Sequence, residues 1–436
     1  MISNLKMPMQ KNRVRSAIKL WRCLFSSGLL LVTQPAFTQP IIRIEGIVHN
    51  GAKNPLPYAN ISVKNFSIGT ISNEEGMFEF FVPFIHTDDT LVISYLGYSS
   101  FKARISDLRS PLILYLEESP TILNEITISS DGAKRLVQEA MESIPKIYPV
   151  EPYLMEGFHR SWEKLQFEDS IAYPGTLIEA AVTIYDAGYT QRSRRKNEEI
   201  YINEIRRTAM MNGWVYNGNL LQQLLHQNML RHNNASILFI KSFLSFPIEY
   251  DYEWNGSTTI EDEDVSVIKV SVTKGKIDSA YYILYISDRD KAILQYDLIG
   301  GTEEIDYTKQ WHTENIYATF KFQRLNNKIY LKYAMVQYTI KKIDVINKRV
   351  LRTEDYFREL LINALTTKEV DEKRKALKLL SKPHSLASQA KPYNPSFWEN
   401  YNVILENPID HEIILFFEKE GILMKQFNQP YKNKNR

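Results

Sequence analysis

At 436 residues, with 44% hydrophobic and 24% charged content, the chain has the length for two or three cored domains and the composition of an ordinary globular protein. Its 53 basic and 51 acidic residues give a formal net charge of +2, which leaves no electrostatic footprint for a nucleic-acid partner. Cys23 is the one cysteine, so disulfides within the chain are excluded.

In chain order, Lys6, Lys11, Arg13, Arg15, Lys19 and Arg22 form a basic region without acidic residues. Leu24 to Val32 is a short apolar run and Ala36-Phe37-Thr38 a small-residue site. This order predicts a secretory signal peptide over residues 1–38, cut near Thr38–Gln39. The apolar run is far shorter than the ~20 residues of a membrane span. Arg22 beside Cys23 does not suit a lipobox. Removing the leader's six basic residues leaves 47 basic against 51 acidic, a net charge near −4. The expected product is exported, in the periplasm or associated with the outer membrane, and not a lipoprotein.

From Pro55 to Ser100 the pattern changes. Ile61, Val63, Phe78, Phe80, Leu91, Ile93 and Tyr95 recur at period two, as strands buried on one face require. Turn clusters separate them: Gly51 to Pro55, Ser72 to Gly76, Asp88-Asp89 and Gly97. Short strands with turn signals every 8–12 residues predict a β-sandwich. Gly76 supplies a turn position with φ > 0.

The series Gly46-Ile47-Val48, Pro57 to Val63, Gly69-Thr70, Ser72 to Phe78 and Ser94 to Tyr98 resembles the carboxypeptidase-regulatory-like domain. Leu123-Asn124-Glu125-Ile126-Thr127-Ile128 stands where that module closes with a final strand. The resemblance covers roughly residues 41–128. It implies a transthyretin-like sandwich of the kind found in exported proteins of Bacteroidota, and it implies no peptidase activity, since the module carries no catalytic residues.

Beyond the sandwich, Asp131 to Ile144 places Leu136, Val137, Ala140, Met141 and Ile144 on one stripe, a helix that Asp131 caps and Pro145 ends. It is expected to be a hinge into a second domain beginning near Tyr153. The following strand, Gly157-Phe158-His159-Arg160-Ser161, resembles a Gly-Phe-Tyr-Arg-Glu strand of similar exported proteins, departing at its third and fifth letters. Thr176 to Ala187 pairs with Met155 to Phe167, Gln191 to Glu199 is a charged loop, and Leu220 to Arg231 a helix. From Tyr250 the alternation returns, with strands at Val265–Val272, Ala280–Ile286 and Ala292–Ile299. Tyr317–Arg324 and Lys328–Ile346 form a hairpin across Asn326-Asn327. Consecutive hairpins without intervening helices predict an antiparallel sheet. Ala280 to Leu298 resembles the lipoprotein-carrier half-barrels of the cell envelope. Glu354 to Thr366 fits strand or helix, and Glu369 to Leu380 a charged helix.

Sites of chemistry are sparse. His411-Glu412 lacks the second His of a zinc motif, and His159 has Glu163 but no partner His. Gly97-Tyr98-Ser99-Ser100-Phe101 lacks the last glycine of a nucleophile elbow, and Lys274-Gly275-Lys276 the frame of a phosphate loop. Glu261-Asp262-Glu263-Asp264 reads as a solvated turn rather than a calcium loop, whose oxygen ligands alternate. Arg192, Arg194, Arg195 and Lys196 are the densest basic cluster after the leader, able to touch lipid phosphates. Trp214 with Tyr216, and Phe397 with Trp398 and Tyr401, could stack on sugars, although core packing outweighs that reading.

The fold class that follows is mainly β with helical insertions. A transthyretin-like β-sandwich (39–128) is followed by a hinge helix and linker (129–152), a larger antiparallel β (α+β) domain (153–428) and a disordered tail (429–436). The expected function is non-catalytic: binding or assembly at the periplasmic or outer-membrane surface. An envelope protein, a glycan or a lipid would be the partner, with no cofactor, metal or nucleic acid. The candidate binding surface is Arg192, Arg194, Arg195, Trp398 and Tyr401. The alternative is a hydrolase of peptides or glycans using second-domain carboxylates such as Glu179 and Asp186. Seven residues apart on a strand, these two point to opposite faces.

Overall fold

The computed structural model describes residues 40–119, 129–168, 172–189, 198–207, 220–232, 249–274, 280–302, 304–380 and 394–419. The leader, the closing strand Leu123–Ile128, Trp214, Tyr216, the cluster Arg192 to Lys196 and the tail lie outside these residues. The described residues from Ile41 onward form one compact unit.

The alternation from Ile41 onward becomes strands β1 (Ile41–Asn50), β2 (Asn60–Val63), β3 (Gly69–Ile71), β4 (Met77–Pro83), β5 (Thr90–Ser94), β6 (Phe101–Arg104) and β7 (Leu112–Leu116). They make two sheets, ordered β4-β1-β7 and β3-β2-β5-β6. β1 and β7 are parallel and every other pair is antiparallel. Ile44, Val48, Ile61, Val63, Phe78, Phe80, Leu91 and Ile93 fill the space between them. At the Ser72–Gly76 turn, Asn73 Oδ1 accepts from the amides of Glu75 and Met77, and Gly76 takes φ +75°.

Helix α1 (Ser130–Ile147) follows. Ser129, rather than Asp131, caps it, its hydroxyl accepting from Gly132 N at 3.2 Å. The helix also runs through Pro145. That proline sits in the last turn, where a missing N–H costs one bond, and Tyr148 N still donates to Ile144 O.

Ten strands then form one antiparallel sheet. They are β8 (Tyr153–Phe167), β9 (Tyr173–Asp186), β10 (Glu198–Arg207), β11 (Glu249–Ile260), β12 (Glu263–Lys274), β13 (Tyr281–Ser287), β14 (Ile293–Gly300), β15 (Trp311–Leu325), β16 (Lys328–Asp344) and β17 (Arg349–Thr366). The order β10-β9-β8-β17-β16-β15-β14-β13-β12-β11 is two meanders joined where the first strand, β8, pairs with the last, β17. The β15–β16 turn takes the expected hairpin geometry, with Asn326 and Asn327 both at positive φ. The ambiguous segment Glu354–Thr366 is strand. Leu220–Arg231 is two short helices, α2 (Leu220–His226) and α3 (Met229–His232). Helices α4 (Val370–Leu380), α5 (Pro395–Trp398) and α6 (Pro408–Lys419) complete the described elements.

Period-two alternation gives the large sheet two working faces. Leu360 and Ile362 of β17 join Ile178, Val182, Tyr296 and Phe320 in a core shared with Val137, Met141 and Ile144 of α1 and Leu221 and Leu224 of α2. The helix expected as a hinge is thus built into the core of the large sheet. Phe357 and Leu361 point the other way, packing with Phe158, Trp162 and Tyr333 against Trp398, Ile404 and Ile413, and against Ile71 of the sandwich.

The sandwich is seated on this second face by named contacts. Tyr58 stacks on Tyr333 at 5.8 Å. The β11–β12 turn reaches across: Gly97 N donates to Thr259 O at 2.9 Å, Asn60 Nδ2 to Glu261 Oε1 at 2.7 Å, and Ser100 N to Asp262 Oδ1 at 2.9 Å. Asp262 also pairs with Lys102. From the C-terminal segment, the Asn402 side chain bonds both backbone groups of Phe81, and Asn407 Oδ1 accepts from Glu74 N.

Candidate functional site

Two polar constellations lie inside the large domain, one on each face of the sheet. On the sandwich side, Arg160 of β8 is fully buried and donates to Glu179 of β9 (2.8 Å), Glu359 of β17 (3.2 Å), Asp410 of α6 (3.1 Å) and Ile404 O (2.9 Å). Arg206 pairs with the second oxygen of Glu179. Trp162 Nε1 and Asn407 N donate to Asp410, and Tyr333 OH donates to Glu359. Three carboxylates thus share two guanidinium groups. Burial resists ionisation of Glu179, but Arg206 and Arg160 outweigh it and hold the carboxyl below its ordinary value. For Glu359 burial wins: it pushes the carboxyl up to about 8, Arg160 opposing and Asp410 adding to the rise. At neutral pH Glu359 holds its proton and the cluster is balanced. Its groups are turned toward one another, and its effect is to fasten the C-terminal segment to the sheet.

On the helix side, Arg358 of β17 is 2% exposed. Its Nη1 donates to Gln223 Oε1 of α2 and its Nη2 to Tyr338 OH, both at 3.0 Å. The guanidinium lies over the rings of Tyr338 and Tyr356. No carboxylate among the described residues pairs with it. Its row in the sheet is Val336, Arg358, Ser161 and Ile178; the next row is Ala334, Leu360, His159 and Ala180. His159 is buried and its Nδ1 donates to Glu359 O at 2.7 Å, because a carbonyl can only accept. Burial pulls the imidazole down to about 4. The ring is therefore neutral and Nε2 carries a lone pair with no partner; Ser161 Oγ beside it also has none. A buried guanidinium with no paired carboxylate among the described residues, next to two buried polar atoms with no partner among them, is unusual in a folded protein. One row further out stands Glu163, raised by burial and by Glu354, with Tyr356, Arg352 and Arg358 opposing.

Between sandwich and sheet lies a cavity of about 50 Å³, lined among others by Tyr58, Asn60, Glu261, Lys321, Lys332 and Tyr333. Lys321 Nζ donates to Tyr58 O and Lys332 Nζ to Ile362 O. Burial pulls both ammonium groups down to about 8.

The residues singled out from sequence fall elsewhere. Trp398 is packed rather than displayed: it is 7% exposed, edge-on to Phe158, with Arg206 4.5 Å over its ring. Tyr401 is half-buried, stacks on Phe397 and donates to Gly157 O at 2.9 Å. These rings close the core because α5 must bury its aromatic side against the sheet. Arg192, Arg194 and Arg195 lie outside the described residues. Glu179 and Asp186 lie on opposite faces, each held by arginine, Asp186 through Arg231 and the Tyr153 hydroxyl. The acidic turn Glu261–Asp264 is a clamp, Glu263 pairing with Arg324 while its neighbours hold the sandwich. Sequence reasoning passed over Arg358. Its signal was present in Phe357-Arg358-Glu359-Leu360, where adjacent opposite charges in an apolar strand must enter opposite faces.

Residues 44–128 match the family described as the CarboxypepD_reg-like domain. A comparison with curated proteins finds no match. Among solved structures, a LolA superfamily protein from Nitrosomonas europaea aligns at 9% identity and a TM-score of 0.20, covering 55% of this chain and 96% of its own. A putative outer membrane lipoprotein-sorting protein domain from Vibrio parahaemolyticus aligns at 9% and 0.22, covering 56% and 99%. MucB in the Pseudomonas aeruginosa MucA/MucB complex aligns at 8% and 0.16, covering 55% and 96%. Scores of this size carry no assignment of function.

Proposed function

We propose that the protein is a non-catalytic binding protein of the cell envelope, and that its ligand is an amphiphile held on the helix-covered face of the large sheet. The observation that carries this reading is Arg358, a buried cation whose position between Gln223 and Tyr338 is completed by no carboxylate among the described residues. Such a group is costly unless an anion or polar oxygen completes it. Gln223 Oε1 occupies one side of the guanidinium, so α2 moves as the ligand's oxygen takes that place. The Ser161 hydroxyl donates to the same head group and the His159 Nε2 lone pair accepts from a hydroxyl on it, while Val336, Ile178 and Leu360 line its apolar body. The leader pattern of residues 1–38 and the sandwich support an exported, periplasmic or outer-membrane location. No helix among the described residues is long and apolar enough to cross a membrane. Arg192, Arg194 and Arg195 remain candidate contacts for an anionic partner surface.

The test is equilibrium binding of long-chain carboxylates, phospholipids, peptides and glycans to wild type, Arg358→Lys and Ser161→Ala. Saturable binding of an acidic amphiphile, weakened in both variants at unchanged thermal stability, supports the reading. Equal binding by all three proteins, or turnover of a peptide or glycan, overturns it.

A further inference from the structure

One end of the large sheet gathers exposed apolar side chains beside exposed cations. There β8 ends at Phe167, β17 begins at Arg349, β15 begins at Trp311 and β16 ends at Asp344; the pairs Phe167–Arg352, Trp311–Lys342 and Asp344–Arg349 fix these termini side by side. Four large apolar side chains stand in solvent at this rim: Phe167, Trp311, Val345 and Ile346, the last 90% exposed. The turn that carries Ile346 is locked. Asp344 accepts from the amides of Ile346 and Asn347 and from the Asn347 side chain, so the isoleucine protrudes from a braced loop. The local anions are occupied, Asp344 and Glu168 both pairing with Arg349. Two exposed cations have no carboxylate partner among the described residues: Lys348, and Lys342, whose ammonium lies 5.8 Å from the Trp311 ring centre.

We infer that this rim is a membrane-docking surface, which seats on a bilayer interface with Trp311, Phe167 and Ile346 among the upper acyl chains and Lys342 and Lys348 on anionic headgroups. Tryptophan favours the headgroup level, where its ring is half in hydrocarbon and its N–H is wet. Lysine stems run along apolar surface while the ammonium reaches phosphate. The excess positive charge beside the apolar tips complements an anionic lipid surface, and the braced turn removes the entropic cost of ordering the inserting residue. This inference does not depend on the ligand of Arg358, although the rows from Arg358 to Arg352 run toward the same rim.

The experiment is flotation of the protein lacking residues 1–38, so that the leader does not itself bind lipid, with vesicles of phosphatidylethanolamine and phosphatidylglycerol or of phosphatidylcholine alone. Wild type should float with the anionic vesicles, less so as salt rises. Ile346→Asp combined with Trp311→Ser should partition at least about tenfold more weakly, about 1.4 kcal/mol, with the thermal midpoint held. Lys342→Glu with Lys348→Glu should lose the anionic preference. Absence of wild-type flotation, or equal flotation of the apolar double variant, overturns the inference.

Discussion

Gly69 has no side chain where Lys332 passes. A Cβ built at Gly69 would lie 2.7 Å from Lys332 Nζ and 2.6 Å from Ile61 O. The lysine is the large sheet's reach into the sandwich, and its Nζ is anchored on Ile362 O at 3.1 Å. Ammonium and glycine are thus two halves of one joint. Gly69→Ala should loosen the joint and destabilise the protein by about 1–3 kcal/mol, the range for overpacking. Chemical denaturation checks this, and an alanine variant as stable as wild type would show that the joint yields freely.

The buried groups predict a pH profile with a minimum. Glu359, raised to about 8 in the folded protein, keeps a proton that the unfolded chain loses near 4.5. Its stabilising contribution is full below 4.5 and lost as pH rises toward 8. Lys321 and Lys332, lowered to about 8, work in the opposite direction, their contribution being present above 10.5 and lost as pH falls through 8. His159, lowered to about 4, contributes above 6.5 and loses that as pH falls through 4. Between 6.5 and 8 the Glu359 contribution therefore leads, with Lys321 and Lys332 opposing it increasingly as pH nears 8. Stability should rise on going from pH 8 to 6.5, and Glu359→Gln should flatten that rise while keeping the Tyr333 contact. A wild-type profile that is flat across this window would contradict the protonated assignment.

Arg160 is the hub of the opposite face. Arg160→Met leaves Glu179, Asp410 and Glu359 without their shared cation in a water-poor core. The expected cost is about 3–5 kcal/mol. Because Asp410 ties α6 to the sheet through Arg160, limited proteolysis should cut the variant in residues 394–419 before other described segments. Cleavage in the same order as wild type would mean that Trp398 and Ile413 hold the segment by packing alone.

In the sandwich, Phe78 is buried between the sheets. Phe78→Ala should cost about 3–5 kcal/mol, read from the denaturation midpoint. A near-neutral effect would place the ring outside the cooperative core.

Local chemistry made much of this legible from sequence. The alternation of Ile61, Phe78 and Ile93, the Asn326-Asn327 hairpin and the stripe of α1 all depend on neighbours within a few residues. What was not legible depends on partners far along the chain. Arg160 meets Asp410 across 250 positions, and Asp262 meets Lys102 across 160. No local pattern distinguishes a clamp from a solvated acidic turn. β10 was passed over as well, because Glu198, Glu199, Glu204, Arg206 and Arg207 fill an edge strand with charge. For Trp398 and Tyr401 core packing outweighed a sugar platform in the sequence, and the contacts with Phe158, Phe397 and Gly157 show them packed.

The central claim is that Arg358 completes its surroundings with an amphiphilic ligand. Native mass spectrometry of the protein purified gently from envelope fractions tests it most directly. The account predicts a bound species with an acidic or oxygen-rich head and an apolar body, retained by wild type and lost or much reduced in Arg358→Lys. A wild-type spectrum of the bare chain, unchanged after incubation with acidic amphiphiles, would contradict it.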